Sequence, residues 1–276
     1  MSYVIFGGKG QLGRKFVNKF ISFGAKFSSY DIDNCDITDI NEVFKVVKKD
    51  KPKFIINCAA YNLVDEAEKD YKLAYQINQA GARNIAIAAR ELRTYLVHYS
   101  TDYVFDGTQD EPYSETDDVN PINHYGMSKL RGEEAVMDVL DDYLILRLSW
   151  VYGKGQQNFI HKLSQWAENN QELNISQNEY SVPTSVNLIV DATLKALKKN
   201  LAGLYHLTSS GSASRLEWAR EIVRLKGIDV KLNPVDIDYF NLPAKRPLNS
   251  AMFNGRISSL IGELPHWKAD LEGFLL

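Results

Sequence analysis

Tyr125 and Lys129 stand four residues apart in the run HYGMSK (His124 to Lys129), so on a helix they lie one turn apart on the same face. A lysine ammonium beside a phenol favours the phenolate, because opposite charge stabilises the ionised form. A tyrosine so placed can exchange a proton with a substrate oxygen near neutral pH. The same spacing arises by chance on solvated helices, so its meaning rests on what surrounds it. Upstream, the strand-like run Tyr95 to Tyr99 ends into Ser100, Thr101 and Asp102. Ligands of open α/β sheets bind beyond the carboxyl ends of the strands, which sets these hydroxyls and this carboxylate where a substrate would sit. The plainer alternative is that Ser100 and Thr101 tie a turn.

A second set of residues offers a phosphate cradle. FGGKGQLGRKF places Gly7, Gly10 and Gly13 after the first apolar run and at the head of a helical pattern. Tight turning, close approach to a pyrophosphate and helix–strand packing each favour a residue without Cβ. The helix N-terminus adds free N–H groups and a positive dipole end. A glycine-rich turn of purely structural purpose is the alternative; the strand–turn–helix context favours dinucleotide binding. Asp31 follows at the end of the second strand, eighteen residues past Gly13. An acid there binds a ribose 2′-hydroxyl and repels a 2′-phosphate, which favours NADH over NADPH unless Asp31 is only a loop cap.

These groups need a frame. Ser2 to Phe6, Lys26 to Tyr30, Lys53 to Asn57, Tyr95 to Tyr99 and Tyr143 to Arg147 read as strands, alternating with helical patterns at Gln11 to Ser22, Ile40 to Lys49 and Leu73 to Glu91. Thr38 is the expected N-cap of the second helix. The alternation predicts an α/β protein with a Rossmann-type doubly wound parallel sheet. Past residue 153 the rhythm loosens, with helices expected over Phe159 to Asn169, Leu188 to Lys199 and Ser214 to Leu225, and a strand over Leu204 to Leu207. Ser214 and Glu217 form a capping-box pattern. The stretch Lys231 to Asn254, broken by Pro and Asn, reads as loops over a pocket. The expected division is a dinucleotide-binding domain over 1–153, with 186–203 packing back on it. A smaller, interleaved substrate-binding region takes 154–185 and 204–276.

Composition narrows the partners. With 32 basic against 35 acidic residues the net charge is −3, which gives nucleic acid no electrostatic support. Five histidines and two cysteines (Cys35, Cys58) show no metal-ligand spacing. No apolar run reaches the length of a membrane span, and the N-terminus enters a strand without a signal-like segment. A soluble cytoplasmic protein is expected. Asp65, Glu66 and Glu68 are either a carboxylate cluster for acid–base or metal work or, more simply, complements to a helix dipole.

The glycine loop, NCAAYNLVDEAE, YSTDYVFDG, PINHYGMSK and LRLSWVYGKGQQNF resemble the extended short-chain dehydrogenase/reductases. Adding NEYSVPTS, GLYHLTSSG and PAKRPLNSAMFN, the whole chain is similar to the dTDP-4-dehydrorhamnose reductase family. The resemblance implies an NADH- or NADPH-dependent reduction of a nucleotide-sugar ketone, with a homodimer left open. It implies a catalytic trio of Thr101, Tyr125 and Lys129, the lysine also holding the nicotinamide ribose. Gly10, Gln11 and Leu12 would face the pyrophosphate, Asp36 and Ile37 the adenine, and Ala60, Tyr61 and Asn62 the nicotinamide ribose. Thr101, Asp102 and Trp150 would touch the sugar nucleotide; Tyr180, Pro183, Thr184 and Arg246 would border its nucleotide end. From the residues alone, Trp150 reads equally as a core aromatic and Arg246 as a solvated charge.

Some members of that family bind magnesium at a dimer contact through two glutamates, one near the C-terminus and one early in the first helix. Lys15 stands there, so no metal is expected. Met252 and Phe253 also depart from the familiar residues of their segment. Other functions compete: a reductase or epimerase for another nucleotide-linked deoxysugar, and a non-catalytic partner resembling the regulatory β subunit of methionine adenosyltransferase. The intact Thr101, Tyr125 and Lys129 favour catalysis.

Overall fold

A computed structural model describes residues 1–276. Its centre is a six-stranded parallel sheet in the order β10 (Gly203–His206), β5 (Tyr143–Leu148), β4 (Tyr95–Thr101), β3 (Phe54–Asn57), β1 (Ser2–Phe6), β2 (Lys26–Tyr30). β1, β3 and β5 are almost wholly buried apolar runs, as a sheet covered on both faces requires. β4 continues two residues past Tyr99, because Ser100 and Thr101 pair with Arg147 and Leu148 of β5. Thr101 is therefore fixed by sheet register. β10 pairs with β5 through His206, so the central sheet extends past residue 203.

Helices cover both faces. α1 (Gln11–Ser22) and α8 (Val186–Lys198) bury Phe16, Phe20, Ile189 and Val190 against one side. α2 (Ile40–Asp50), α5 (Ala82–Glu91) and α6 (His124–Met137) cover the other with Val43, Ile85 and Val136. Asp39, not Thr38, caps α2: its carboxylate accepts the Asn41 N–H at 2.8 Å, while the Thr38 N–H is taken by Asp36. The expected single helix over Leu73 to Glu91 is broken. α3 (Glu66–Lys69) and α4 (Tyr71–Tyr75) lead into a π-helical turn, Gln76–Gly81, before α5.

The remaining elements build a second, smaller core around Trp218, Leu163, Trp267 and Leu271. They are β6 (Val151–Tyr152), α7 (Phe159–Asn169), β7 (Glu172–Ser176), β8 (Tyr180–Ser181), β9 (Thr184–Ser185), β11 (Ala213–Ser214), α9 (Arg215–Lys226), β12 (Lys231–Val235) and α11 (Trp267–Leu275), whereas α10 (Gly255–Ile261) buries Ile257 and Ile261 in the core of the central sheet, against α8 and β10. Ser214 and Glu217 form the expected capping box at the start of α9. Lys231–Val235 corrects the loop expectation: it pairs in parallel with β7. No helix is long and apolar enough to cross a membrane.

Candidate active site

A cleft of about 930 Å³ opens over the carboxyl ends of β1, β3 and β4 and under the smaller region. At one end Gly7 takes a φ of +76°, and a Cβ there would strike the backbone of Ala59. Gly13 is buried beneath the loop, where a Cβ would overlap the Gly7 carbonyl oxygen. Gly10 caps α1 with no side chain, so the N–H groups of the first turn keep no partner from a cap. That cradle fits a pyrophosphate. Gly7, Gly10, Gln11, Leu12, Asp31, Asp36, Ile37, Ala60 and Asn62 line this end; Gly13 and Tyr61 do not. Asp31 accepts the backbone N–H groups of Lys9 (2.8 Å) and Ile32 (3.0 Å), which fastens it to the glycine loop.

Asn78, on the π-turn, was not visible as a functional residue in the sequence. It is buried, and its side-chain amide closes two 2.9 Å bonds with the N–H and carbonyl of Tyr61. The same amide nitrogen donates to Ser128 Oγ at 2.8 Å, and Ser128 donates to the Tyr125 carbonyl at 2.7 Å. π-turns concentrate at such sites because the extra residue re-aims a side chain. The only sequence signal is Gly81, where a Cβ would collide with Ile37.

The structure brings Thr101, Tyr125 and Lys129 to the centre of the cleft. Asn123 caps α6 through the Gly126 N–H (2.8 Å), which starts the helix one residue before Tyr125. Lys129 is buried, and its Nζ donates to the Tyr99 carbonyl at 2.6 Å. Burial brings its pKa down to about 8, against the pull of Glu133 one turn further along. Tyr125 differs from the expectation. Burial pushes its phenol up to about 12, opposed by hydrogen bonding with Thr101, and Lys129 contributes no lowering. The lysine is turned to Tyr99, and desolvation outweighs it.

Asp102 sits under Thr101, 3% exposed. Its carboxylate accepts hydroxyls from Thr101 (3.1 Å), Ser149 (3.2 Å), Ser181 (2.8 Å) and Ser250 (2.6 Å). Burial still raises its pKa. Ser149 leaves β5, whereas Ser181 and Ser250 belong to the smaller region. One carboxylate thus ties both halves to the residue beside Thr101.

Trp150 lines the cleft with a φ of +35°, a strained conformation for a bulky side chain, and its indole N–H is buried without a partner in the protein. Arg246 also lines it, but its Nη2 pairs with Asp65 at 2.7 Å and its Nη1 donates to the Ala244 carbonyl at 2.8 Å. Asp65 and Glu68 do not form a cluster: Glu68 accepts the His124 N–H at the head of α6. Tyr180, Pro183 and Thr184 do not line the cleft. Tyr180 lies 42% exposed on the outside, where its backbone bonds Leu248 and Ser250; Thr184 is buried between Val182 and Ser209. The cleft wall at that end is supplied by Ile175, Ser176, Glu179, Arg215 and Phe240.

The family model described as the RmlD substrate binding domain matches residues 1–276. The dTDP-4-dehydrorhamnose reductase of Escherichia coli K12 is 34% identical over 290 residues, covering 100% of this chain and 97% of that protein. The chain belongs to the dTDP-4-dehydrorhamnose reductase family. Two solved members superpose closely. A dTDP-4-dehydrorhamnose reductase from Clostridium acetobutylicum has a TM-score of 0.96 at 37% identity, covering 100% of this chain and 98% of the other. Another, from Bacillus anthracis in complex with NADP, has a TM-score of 0.96 at 35% identity, covering 99% and 98%. Family membership makes this chain a nicotinamide-dependent oxidoreductase.

Proposed function

We propose that this protein reduces the C4 ketone of dTDP-4-dehydro-L-rhamnose to dTDP-L-rhamnose. The carrying observation is the convergence of Tyr125, Lys129 and Thr101 beside a glycine-walled dinucleotide cradle. A bound dihydronicotinamide supplies the hydride. Tyr125 supplies the proton. A phenol with a pKa near 12 stays protonated at neutral pH, yet it is a stronger acid than the sugar alcohol formed when the alkoxide takes its proton, so transfer runs downhill. Thr101 stands beside that phenol and gives its one hydroxyl proton to Asp102; turned from that carboxylate to the substrate, the same proton is a second donor at the developing oxyanion. Such a donor contributes roughly 2.7–4 kcal/mol to transition-state stabilisation. An ammonium has three N–H groups; Lys129 spends one on Tyr99 and keeps two for ribose hydroxyls.

NADH is the preferred donor in this reading. Asp31 presents a carboxylate where a 2′-phosphate would lie, and the Lys9 ammonium is engaged 2.8 Å from Asp33. The test is NADH and NADPH oxidation with enzymatically generated dTDP-4-dehydrorhamnose. Oxidation that depends on the sugar nucleotide supports the reading. Stoichiometric, tightly bound cofactor with sugar interconversion and no net oxidation would identify an epimerase instead.

A further inference from the structure

Arg215 is fixed in the cleft wall by contacts the proton chemistry does not use. It is the first residue of α9, inside the Ser214–Glu217 capping box, and its backbone N–H donates to the Glu179 carbonyl at 3.0 Å. Its Nε and Nη2 reach the two oxygens of Glu179 at 3.3 and 3.0 Å. The guanidinium carbon lies 3.5 Å from the ring centroid of Trp150, 5.0 Å from Phe159 and 5.5 Å from Trp218. Ion pair and rings fix the plane of the group in advance. Nη1 alone is left without a protein partner, on a side chain that lines the cleft.

The location suits one part of a nucleotide sugar. The Tyr103 ring stands edge-on to Tyr125 with centroids 5.9 Å apart, and its phenol feels the charges of Glu179, Arg246, Asp102 and Arg215. In a pyranose whose C4 oxygen meets Tyr125, the anomeric carbon is across the ring, so its diphosphate leaves away from the tyrosine. The lining in that direction carries Lys162, Arg215 and Arg246 against the single carboxylate of Glu179. Arg246 has both terminal nitrogens occupied.

We propose that Arg215 binds the diphosphate of the substrate through Nη1, with Glu179 as its positioning residue. The assignment rests on the nucleotide-sugar reading above and deepens it. A preorganised guanidinium loses little freedom on binding, and its planar edge matches phosphate oxygens. The same group stacks flat on Trp150 while holding Glu179, a combination that needs the planar guanidinium and that a lysine ammonium lacks.

The test titrates dTDP by calorimetry into NADPH-loaded wild-type protein and the variants R215M, R215K and R246M. Thymidine, which lacks phosphates, is followed in parallel by NMR. R215M is expected to weaken dTDP on the order of 30-fold, the loss of a charge-assisted bond. Thymidine and NADPH should stay within about twofold, the scatter of a side chain making no contact. R215K should recover only part of the dTDP affinity, and R246M should cost less than R215M. The assignment is overturned if R215M keeps dTDP within about twofold of wild type. A larger loss in R246M, or equal loss of thymidine and dTDP in R215M, overturns it too. Wild-type protein that holds NADPH but no nucleoside diphosphate removes the nucleotide-sugar reading and this assignment together.

Discussion

At the cofactor end of the cleft the chemistry is delivered by backbone: a glycine turn, the end of β4 in register with β5, and the first turns of α6. At the nucleotide end, side chains hold other side chains. Arg215 rests on Glu179 and Trp150, and Arg246 on Asp65, pairs separated by 36 and 181 positions in the chain. The first kind of site is rigid because the sheet is rigid. The second is rigid only while its partners are present, and a single substitution can release it. Asp102 joins the two, since its serine partners come from both halves.

Tyr125→Phe should break the cofactor end most severely, lowering kcat on the order of 10²- to 10⁴-fold with NADPH binding unchanged. A kcat close to wild type in that variant would show that the proton comes from elsewhere. Asp102→Ala strikes the joint between the ends. It leaves buried serine hydroxyls without their acceptor and should cost about 3 kcal/mol of stability, read from denaturant unfolding. Unchanged stability would mean that the halves are held together without it.

The pH profile sharpens which group limits the cofactor end. Lys129 loses its charge as pH rises through about 8, whereas Tyr125 keeps its proton to about 12. kcat/KM should therefore fall above pH about 8, and Lys129→Arg, whose charge persists, should remove that limb whatever its absolute rate. The smallest effect is expected from Asp31→Asn. Removing one partly exposed charge should shift the NADPH-to-NADH ratio of kcat/KM by roughly fivefold towards NADPH.

What the sequence disclosed follows the same division. Strands and helices of the central sheet were legible because buried parallel strands are continuous apolar runs and the helices repeat at 3.6 residues. The glycines and the Tyr125–Lys129 spacing were legible because their partners are near in sequence. The π-turn was not: Gln76–Gly81 keeps a helical pattern, and its distortion comes from tertiary contacts of Asn78. β12 was missed because Pro234 and Asn233 weaken a strand signal, although a short strand paired on one side tolerates them. Glu179 and Arg215 carry no spacing signal at all. Tyr180, Pro183 and Thr184 lie in the right segment, but that segment turns its Glu179 side chain inward and sends its neighbours to the outside or into the core.

Asn78 has one more consequence. Its amide holds the loop of Tyr61, beside the cleft, and, through Ser128, the helix that carries Tyr125. Displacement of either therefore drags the other along. The spacing between the Tyr61 loop and the Tyr125 helix is thus set by one side chain rather than by the walls around it.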